Sequence, residues 1–281
     1  MNNVFMRFPG GRIMAVTLSY DDNVTDDVRL SETMRRYGLR GTFNINSAQF
    51  SPEGSVGDVG KHGHRRLTLR QSQELHLEDE MEVACHGATH PFLEQLPSSL
   101  CIKEILEDRL TLEEHFGCMV RGLAYPFGTY SDSVIAAAKS CGIVYARTVA
   151  STHGFGLPTD WLRWDPTCHH IEPELMPLVT RFLEDKRKWR PRLFYLWGHA
   201  YEFTDSNNWH ILEDFGKAIG CRDDVWYATN IEIYDYVNAY GQLVFSADGR
   251  RVYNPTMTEL FIGTRVGEFG VKPGETIEIE I

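Results

Sequence analysis

Short apolar segments alternate with amphipathic segments along most of the chain, up to Gly241. Residues 13–20 and 41–45 are typical of buried strands, and residues 26–37 between them are typical of an amphipathic helix. A helix between two strands returns the chain to the same end of the sheet, so the strands are expected to run parallel. We count about seven or eight strand–helix units, which favours an α/β barrel over an open sheet.

The pattern continues through shorter segments. We expect a short strand at residues 161–164, a helix at residues 174–189 and a later helix capped by Asn207. After Gly241 the chain changes to short alternating segments separated by turns, which is typical of antiparallel strands. The sequence therefore predicts a barrel domain at residues 1–241 and a small antiparallel β appendage at residues 242–281.

Composition excludes several classes of function. The net charge is -11, and the nearest basic run, at residues 186–188, lies in a stretch of mixed charge, so nucleic acid is not an expected partner. No apolar run approaches the roughly 18 residues of a membrane span. The N-terminus lacks the basic and apolar regions of a secretory signal, so we expect a cytoplasmic protein. The six scattered cysteines contain no C-x-x-C pair and are expected to be reduced and mostly buried.

Acids and imidazoles follow several of the predicted strands. Asp21 and Asp22 end the first strand, His86 and His90 follow the strand at residues 82–85, and His199 follows another apolar run. Parallel α/β folds place their functional sites at the C-terminal ends of strands, so these side chains are expected at one rim. Two neutral imidazoles and one carboxylate can form a metal site with open positions for water.

Each of these residues also has an ordinary structural interpretation. Asp21 and Asp22 could both cap the following helix, and the two imidazoles could lie in a surface loop. His199 could be a hydrogen-bonded core histidine or a catalytic acid. There are two further histidine pairs, His62 with His64 and His169 with His170. Each pair could bind a second metal ion or contact the substrate.

The motifs, taken in order, carry a specific resemblance. Thr17-Leu-Ser-Tyr-Asp-Asp, His86-Gly-Ala-Thr-His-Pro, Ala124-Tyr-Pro-Phe-Gly and Leu196-Trp-Gly-His resemble the NodB-homology polysaccharide deacetylases, carbohydrate esterase family 4. The resemblance covers residues 12–240. It implies a distorted (β/α)7-type barrel that removes acetyl groups from N-acetylglucosamine polymers or from xylan with zinc or a similar divalent ion.

The resemblance also implies roles for single residues. Asp21 is the expected general base, His199 the expected general acid, and the backbone N–H of Phe127 the expected oxyanion donor. The expected metal ligands are Asp22, His86 and His90. Zinc is the first expectation for the metal, with cobalt, nickel or manganese as alternatives. The expected substrate contacts are the aromatic side chains Tyr20, Tyr125, Trp161 and Trp164.

This sequence departs from the family pattern at two positions. The family's third motif often opens with an arginine that holds the base, whereas this chain has Ala124 there. We expect Arg147 to replace that arginine and to lie within salt-bridge reach of Asp21. The fourth motif is blurred, and we expect Asp165 to orient His199.

These expectations describe a metal-dependent hydrolase of N-acetylated sugars. In it a metal would acidify a water that attacks the acetamide carbonyl, and Asp21 would take the proton. The expected partner is an acetylated sugar or oligosaccharide. A cyclic amide or ureide hydrolase and a sugar O-acetyl esterase remain alternatives on the same scaffold. A carbohydrate-binding protein without catalysis is the alternative from another class.

Overall fold

The computed structural model describes residues 4–55, 64–77 and 81–280 of the chain. Its strands are β1 (Phe5–Arg7), β2 (Met14–Asp21), β3 (Gly41–Ile45), β4 (Glu82–Cys85), β5 (Gly122–Ala124), β6 (Tyr145–Arg147), β7 (Cys168–His169), β8 (Arg192–Gly198), β9 (Val225–Tyr227), β10 (Val244–Phe245), β11 (Arg251–Tyr253), β12 (Leu260–Gly263), β13 (Glu268–Val271) and β14 (Thr276–Glu278). Its α-helices are α1 (Asp27–Arg36), α2 (Leu69–Leu77), α3 (Ser98–Phe116), α4 (Asp132–Ser140), α5 (Leu175–Glu184), α6 (Ala200–Asp205), α7 (His210–Ile219) and α8 (Asn230–Tyr240).

A curled parallel sheet forms the centre of the molecule. Its strands follow the order β6-β5-β4-β3-β2-β8-β7, and β9 also pairs with β2. β8 pairs with β2 from Met14 to Tyr20, whereas β9 pairs with its first residues and β3 with its last ones. The predicted α/β fold with a distorted barrel is confirmed. An isolated parallel bridge joins Arg147 of β6 to Trp164, which lies just before β7 in the chain.

The core lies where the apolar pattern predicts it. Every residue of β2 and β8 is buried, as expected for parallel strands covered on both faces. The amphipathic helices turn their apolar stripes to this sheet, and α5 buries Leu175, Leu178 and Phe182 at helical spacing. This packing holds the C-terminal ends of the strands at one rim.

Two small antiparallel sheets follow the barrel. One has the order β10-β11-β14, and the other has the order β1-β12-β13. The N-terminal strand β1 therefore pairs with the C-terminal part of the chain, from Phe5 opposite Gly263 to Arg7 opposite Phe261. The division at residue 241 stays a prediction.

Three expected elements differ in the structure. Residues Trp161–Arg163 form a 3-10 helix, not a strand, because the Asp160 carboxylate accepts the Leu162 N–H at its start. The helix expected at residues 174–189 ends at Glu184, since the residues that follow offer no apolar side chain to the core. Asn207 has a φ of 50° in the left-handed region, so the next helix begins only at His210.

No helix in the described ranges is long and apolar enough to span a membrane.

Glu82 is a half-buried carboxyl group at the start of β4. Its Oε1 accepts the Tyr145 hydroxyl at 2.6 Å, and its Oε2 accepts the Thr42 hydroxyl at 2.7 Å and the Ile231 N–H at 2.9 Å. Burial raises the pKa of Glu82 to about 7, and these donors lower it only in part. The folded protein therefore holds a proton on Glu82 at pH values where the unfolded chain has released it.

Glu82→Gln tests this protonation. The contribution of the raised pKa is complete below the ordinary glutamate range and is lost as pH rises to about 7. We expect the free energy of unfolding of the wild type to fall relative to Glu82→Gln by up to about 1.4 kcal/mol per pH unit in this window. Urea unfolding of both proteins between pH 4.5 and about 8 measures the difference. Curves that stay parallel over this range would contradict the assignment.

Candidate active site

A cleft of about 500 Å³ opens at the C-terminal rim of the parallel sheet. The side chains expected at this rim converge there although they come from distant parts of the chain. Those that carry acids or imidazoles are Asp21, Asp22, His86, His90 and His199. The order of strands in the sheet brings them together, since β2 lies between β3 and β8 and β4 lies next to β3.

Asp21 is a buried carboxylate with a partner on each oxygen. The Asn44 side-chain amide donates to Oδ1 at 2.8 Å, and Arg147 forms an ion pair with Oδ2. Burial alone would raise the pKa of Asp21, but Arg147, followed by His86 and His199, outweighs it and lowers the pKa below its usual value. Asp21 is therefore an ionised acceptor at neutral pH. The expected contact between Arg147 and Asp21 is present.

Three side chains beside Asp21 are arranged as metal ligands. One ligand atom each from Asp22, His86 and His90 lies within 4.8 Å of the other two, and the two Nε2 atoms are 3.2 Å apart. Two zinc–nitrogen bonds of about 2.1 Å at a tetrahedral angle would hold their nitrogens about 3.4 Å apart, so the imidazole spacing fits one divalent ion.

The protonation of His86 also suits a metal ligand. Its Nδ1 lies 2.8 Å from the Ala124 carbonyl oxygen, which can only accept, so Nδ1 carries the proton. Burial lowers the pKa of His86 and keeps the ring neutral, which leaves the Nε2 lone pair directed at His90. Burial and the neighbouring His86 lower the pKa of His90 to about 4. Two neutral imidazoles are the form that binds a cation.

Asp22 is the third candidate metal ligand, and its backbone is strained. Its φ is 84°, which turns the chain sharply at the end of β2. Arg66 Nη1 lies 2.9 Å from Asp22 Oδ1, yet this buried oxygen accepts no hydrogen bond from the described residues. Burial would raise the pKa of Asp22, but Arg66 lowers it far below its usual value. An ionised oxygen without a hydrogen bond is the donor that a bound cation needs.

Buried side chains hold the backbone of the loop that carries His86 and His90. Asn46 donates its side-chain amide to the carbonyls of His86 at 2.7 Å and of Gly87 at 2.8 Å. Asp108 accepts the backbone N–H of His86 at 2.9 Å. The segment is a turn rather than a helical turn, because His90 has a φ of 57°. These contacts set the imidazole spacing without a helix.

His199 faces Asp21 across the cleft. Its Nε2 lies 3.7 Å from Asp21 Oδ2, and its Nδ1 lies 3.3 Å from Glu202 Oε2. Burial would lower the pKa of His199, but Glu202, followed by Asp21, raises it above its ordinary value. We expected Asp165 to orient His199, but the residue beside His199 Nδ1 is Glu202. The Asp165 carboxylate instead accepts the hydroxyl of Thr148.

Phe127 lies at the mouth of the cleft beside the imidazoles. Its φ of 59° lies in the left-handed region, inside a tight turn that places its ring 4.4 Å from the ring of His90. The ring is 46% exposed, which is high for a phenylalanine. Among the described residues we find no acceptor for its backbone N–H, so this donor is available for the expected oxyanion role.

Comparisons with known proteins bear on this arrangement. Residues 9–146 match the family model "Polysaccharide deacetylase". This match covers just under half of the chain, and it confirms the resemblance to the polysaccharide deacetylases. The chain is a hydrolase of the deacetylase type. No curated protein is significantly similar to it in sequence.

Solved structures share the deacetylase fold. A candidate polysaccharide deacetylase from Mycobacterium smegmatis has 17% identity and a TM-score of 0.56, over 83% of this chain and 93% of that chain. The Xyl-CE4 domain of a multidomain xylanase from the hindgut metagenome of Trinervitermes trinervoides has 13% identity and a TM-score of 0.54, over 80% and 92%. The deacetylase PplD from Streptococcus pyogenes has 20% identity and a TM-score of 0.50, over 59% and 69%. These likenesses support the fold.

Three of the four aromatic side chains expected to contact substrate do not line the cleft of this deacetylase. Trp164 is buried between Tyr145 and Tyr195, and Trp161 packs against Trp164 and Tyr234.

Tyr20 is also buried, with its hydroxyl 3.2 Å from His170 Nδ1. Tyr125 does line the cleft, although its hydroxyl donates to the Leu162 carbonyl at 2.9 Å. Trp197 and Tyr201 line it as well, and neither was expected there.

Of the other two histidine pairs, one has a member that lines the cleft and the other lies beside Glu202. His64 lines the cleft and stacks on Tyr201 at 3.7 Å, whereas His62 lies outside the described residues. His169 Nε2 and His170 Nε2 lie 3.1 and 3.2 Å from Glu202 Oε2. The backbone N–H of Ile171 donates to His169 Nδ1 at 3.3 Å, so neutral His169 carries its proton on Nε2 and faces Glu202 as a donor. This pair therefore supports Glu202. One ligand atom each from His169, His170 and Glu202 also lies within 4.8 Å of the other two, so the second metal site stays a prediction.

The sequence reasoning missed Asn44, Arg66, Asp108 and Glu202. Asn44 could have been found, because it is a polar residue near the end of a strand whose apolar pattern was recognised. Glu202 also has a signal, since it lies three residues after His199 at the capping-box position of α6 and accepts the His199 N–H at 3.0 Å. Arg66 lies in a loop and Asp108 inside a helix, and neither position carries a local pattern.

The buried pair of Arg147 and Asp21 leads to a double-mutant prediction. Arg147→Met leaves the Asp21 carboxylate buried without its cation, so we expect a loss of about 3–5 kcal/mol in the free energy of unfolding. Arg147→Met combined with Asp21→Asn removes both charges and should recover most of this loss. Urea unfolding of the two single variants and the double variant measures the coupling. Additive losses would show that the two side chains do not depend on each other.

Proposed function

We propose that this protein is a metal-dependent deacetylase of N-acetylated sugars, acting on an N-acetylglucosamine-type oligosaccharide or glycan. The observation that carries the proposal is the position of Asp21 Oδ2. It lies 3.8 Å from His86 Nε2 and 3.7 Å from His199 Nε2, between the three candidate ligands and a histidine on the opposite side. A candidate base, a candidate acid and a candidate metal site therefore share one cleft.

The donor set of Asp22, His86 and His90 fits a divalent ion, with zinc as the first choice. When bound, such an ion supplies a Lewis acid that polarises the acetyl carbonyl and acidifies water. Asp21 accepts the proton of the attacking water, because Arg147 and Asn44 keep it ionised and oriented. The N–H of Phe127 donates to the oxygen that gains negative charge.

His199 completes the reaction at the leaving group. An amide bond breaks only when its nitrogen receives a proton, since an amide anion is a very poor leaving group. His199 Nε2 faces the cleft, and Glu202 beside Nδ1 favours the protonated ring. His199 therefore protonates the nitrogen as the tetrahedral carbon collapses, and acetate and the free amine leave.

Asp21→Asn separates the base from the metal ligands. We expect this variant to release acetate from N-acetylglucosamine oligomers at least about 100-fold more slowly than the wild type, while it retains bound metal. Asp22→Asn, the neighbouring acid, serves as the matched variant and should lose the metal. Acetate release and metal content by elemental analysis measure both effects, and removal of metal by a chelator should abolish the wild-type activity.

The same assay distinguishes the alternatives. Metal loss in Asp21→Asn with metal retained in Asp22→Asn would mean that the two acids have exchanged roles. A wild type that binds metal but releases acetate only from acetylated xylan would identify an O-acetyl esterase. A wild type that binds sugar without hydrolysing any of these substrates would overturn the proposal.

Glu202→Gln tests the orientation of His199. The variant keeps the shape of the side chain but removes the charge that raises the pKa of His199. The acid must be protonated to act, so the activity of the variant should decline at a lower pH than that of the wild type. Profiles of kcat against pH for the wild type, Glu202→Gln and the control Asp165→Asn measure the shift. An unchanged alkaline limb in Glu202→Gln, or an equal shift in Asp165→Asn, would exclude this role for Glu202.

A further inference from the structure

A basic segment stands apart in this acidic chain. Residues 181–192 contain six basic side chains and two acidic ones, a net charge of +4, whereas the chain as a whole carries -11. The segment begins on α5 and runs to the first residue of β8. Its residues 186–190 are all exposed, among them a tryptophan that is 59% exposed.

Four arginines of this segment surround one hollow of about 330 Å³. They are Arg181, Arg187, Arg190 and Arg192, and the other described lining residues are Gly154, Phe155 and Gly156. No carboxylate belongs to this described lining. A neighbouring hollow of about 320 Å³ shares Arg187, Arg190 and Arg192 and adds Asp185 and Trp189. The guanidinium groups are thus concentrated around a concave surface that has room for a small ligand.

Arg192 is buried in the wall of this hollow. It is 6% exposed, and its Nε has no hydrogen-bond partner among the described residues. Its Nη1 donates to the Arg187 carbonyl at 3.1 Å and lies 3.3 Å from Asp185 Oδ1. These contacts fix Arg192 in place, so its positive charge acts at short range on a ligand in the hollow.

The other arginines are partly engaged. Arg187 binds the Asp185 carboxylate, and Arg181 donates to the His153 carbonyl while its guanidinium lies 5.0 Å from the ring centre of Phe155. Arg190 is exposed and forms no ion pair with a described residue. Asp185 offsets one of the four positive charges, which leaves an excess of positive charge around the hollow.

This hollow is separate from the proposed active site. Arg192 begins β8, and His199 follows its last residue. A strand of this length places the two ends about 20 Å apart, on opposite rims of the sheet. A ligand in the hollow therefore does not occupy the catalytic cleft.

We propose that the hollow lined by Arg181, Arg187, Arg190 and Arg192 binds a phosphate-class anion, such as a phosphomonoester or a pyrophosphate group. A guanidinium matches phosphate oxygens through two parallel hydrogen bonds. Phosphate carries about two negative charges where a carboxylate carries one, so it suits a hollow with several unbalanced arginines. The inference goes beyond the proposed hydrolysis and is independent of it.

Calorimetric titration of the full chain with sodium pyrophosphate at constant ionic strength tests the site. We expect saturable binding by the wild type and at least about fivefold weaker binding by Arg190→Ser, which removes an exposed guanidinium without disturbing the core. Arg265→Ser is the matched control, because it removes an exposed arginine elsewhere on the surface and should bind as the wild type does. The readout is binding alone, so a failure of the deacetylase assay would not affect it.

Vesicles distinguish the source of the phosphate. Pyrophosphate binding together with sedimentation on phosphatidylglycerol vesicles, but not on phosphatidylcholine vesicles, supports the site with a lipid headgroup as ligand. Pyrophosphate binding without vesicle binding supports it with a soluble phosphate ester. The proposal is overturned if the wild type shows no saturable pyrophosphate binding, whatever the vesicle result, or if Arg265→Ser weakens binding as much as Arg190→Ser does.

Discussion

The buried ion pair between Arg147 and Asp21 is the interaction on which the proposed active site depends. An unpaired carboxylate at this depth would be protonated and could not accept a proton, because desolvation penalises its charged form. Arg147 reaches Asp21 from β6 and lies 4.4 Å from the centre of the Trp197 ring of β8, so three strands meet at this contact. Asn44 on β3 occupies the other oxygen. The pair therefore keeps the base ionised, and it also fixes the direction in which its oxygens point.

The surrounding barrel makes an otherwise unfavourable backbone possible. Asp22, His90 and Phe127 all have positive φ values, although none of them is glycine. Each such residue costs on the order of 1–3 kcal/mol and persists only where its surroundings over-determine it. At this rim the surroundings include buried side chains whose only evident task is to hold the loops, such as Asn46 and Asp108. At these three positions the positive φ turns the chain out of the strand direction, so that the side chains face the cleft.

The sequence predicted the barrel and the convergence of acids and imidazoles, because both follow from strand periodicity and from the common edge of parallel strands. It also led to Arg147, since a missing arginine in one motif left a buried carboxylate that needed another cation. The sequence did not predict that Trp164 belongs to the core, because an aromatic residue at the end of a short expected strand has the same local pattern whether it packs inward or outward. It assigned Asp165 instead of Glu202, because Trp164-Asp165 was the nearest match to the family's fourth motif, whereas the signal at Glu202 was that of a helix cap.

The roles proposed for Asp21 as base and His199 as acid follow from their neighbours more than from their residue types. Asp21 and His199 lie 3.7 Å apart, and each would by burial alone lose its charge. Arg147 lowers the pKa of Asp21, whereas Glu202 raises the pKa of His199, so the two environments move the titrations in opposite directions. Their charged forms, an ionised base and a protonated acid, therefore coexist between the lowered pKa of Asp21 and the raised pKa of His199. Hydrolysis of an amide requires that combination, because the water must lose a proton and the leaving nitrogen must gain one. The outer partners Arg147 and Glu202 are thus as necessary to the proposed chemistry as the two residues that transfer the protons.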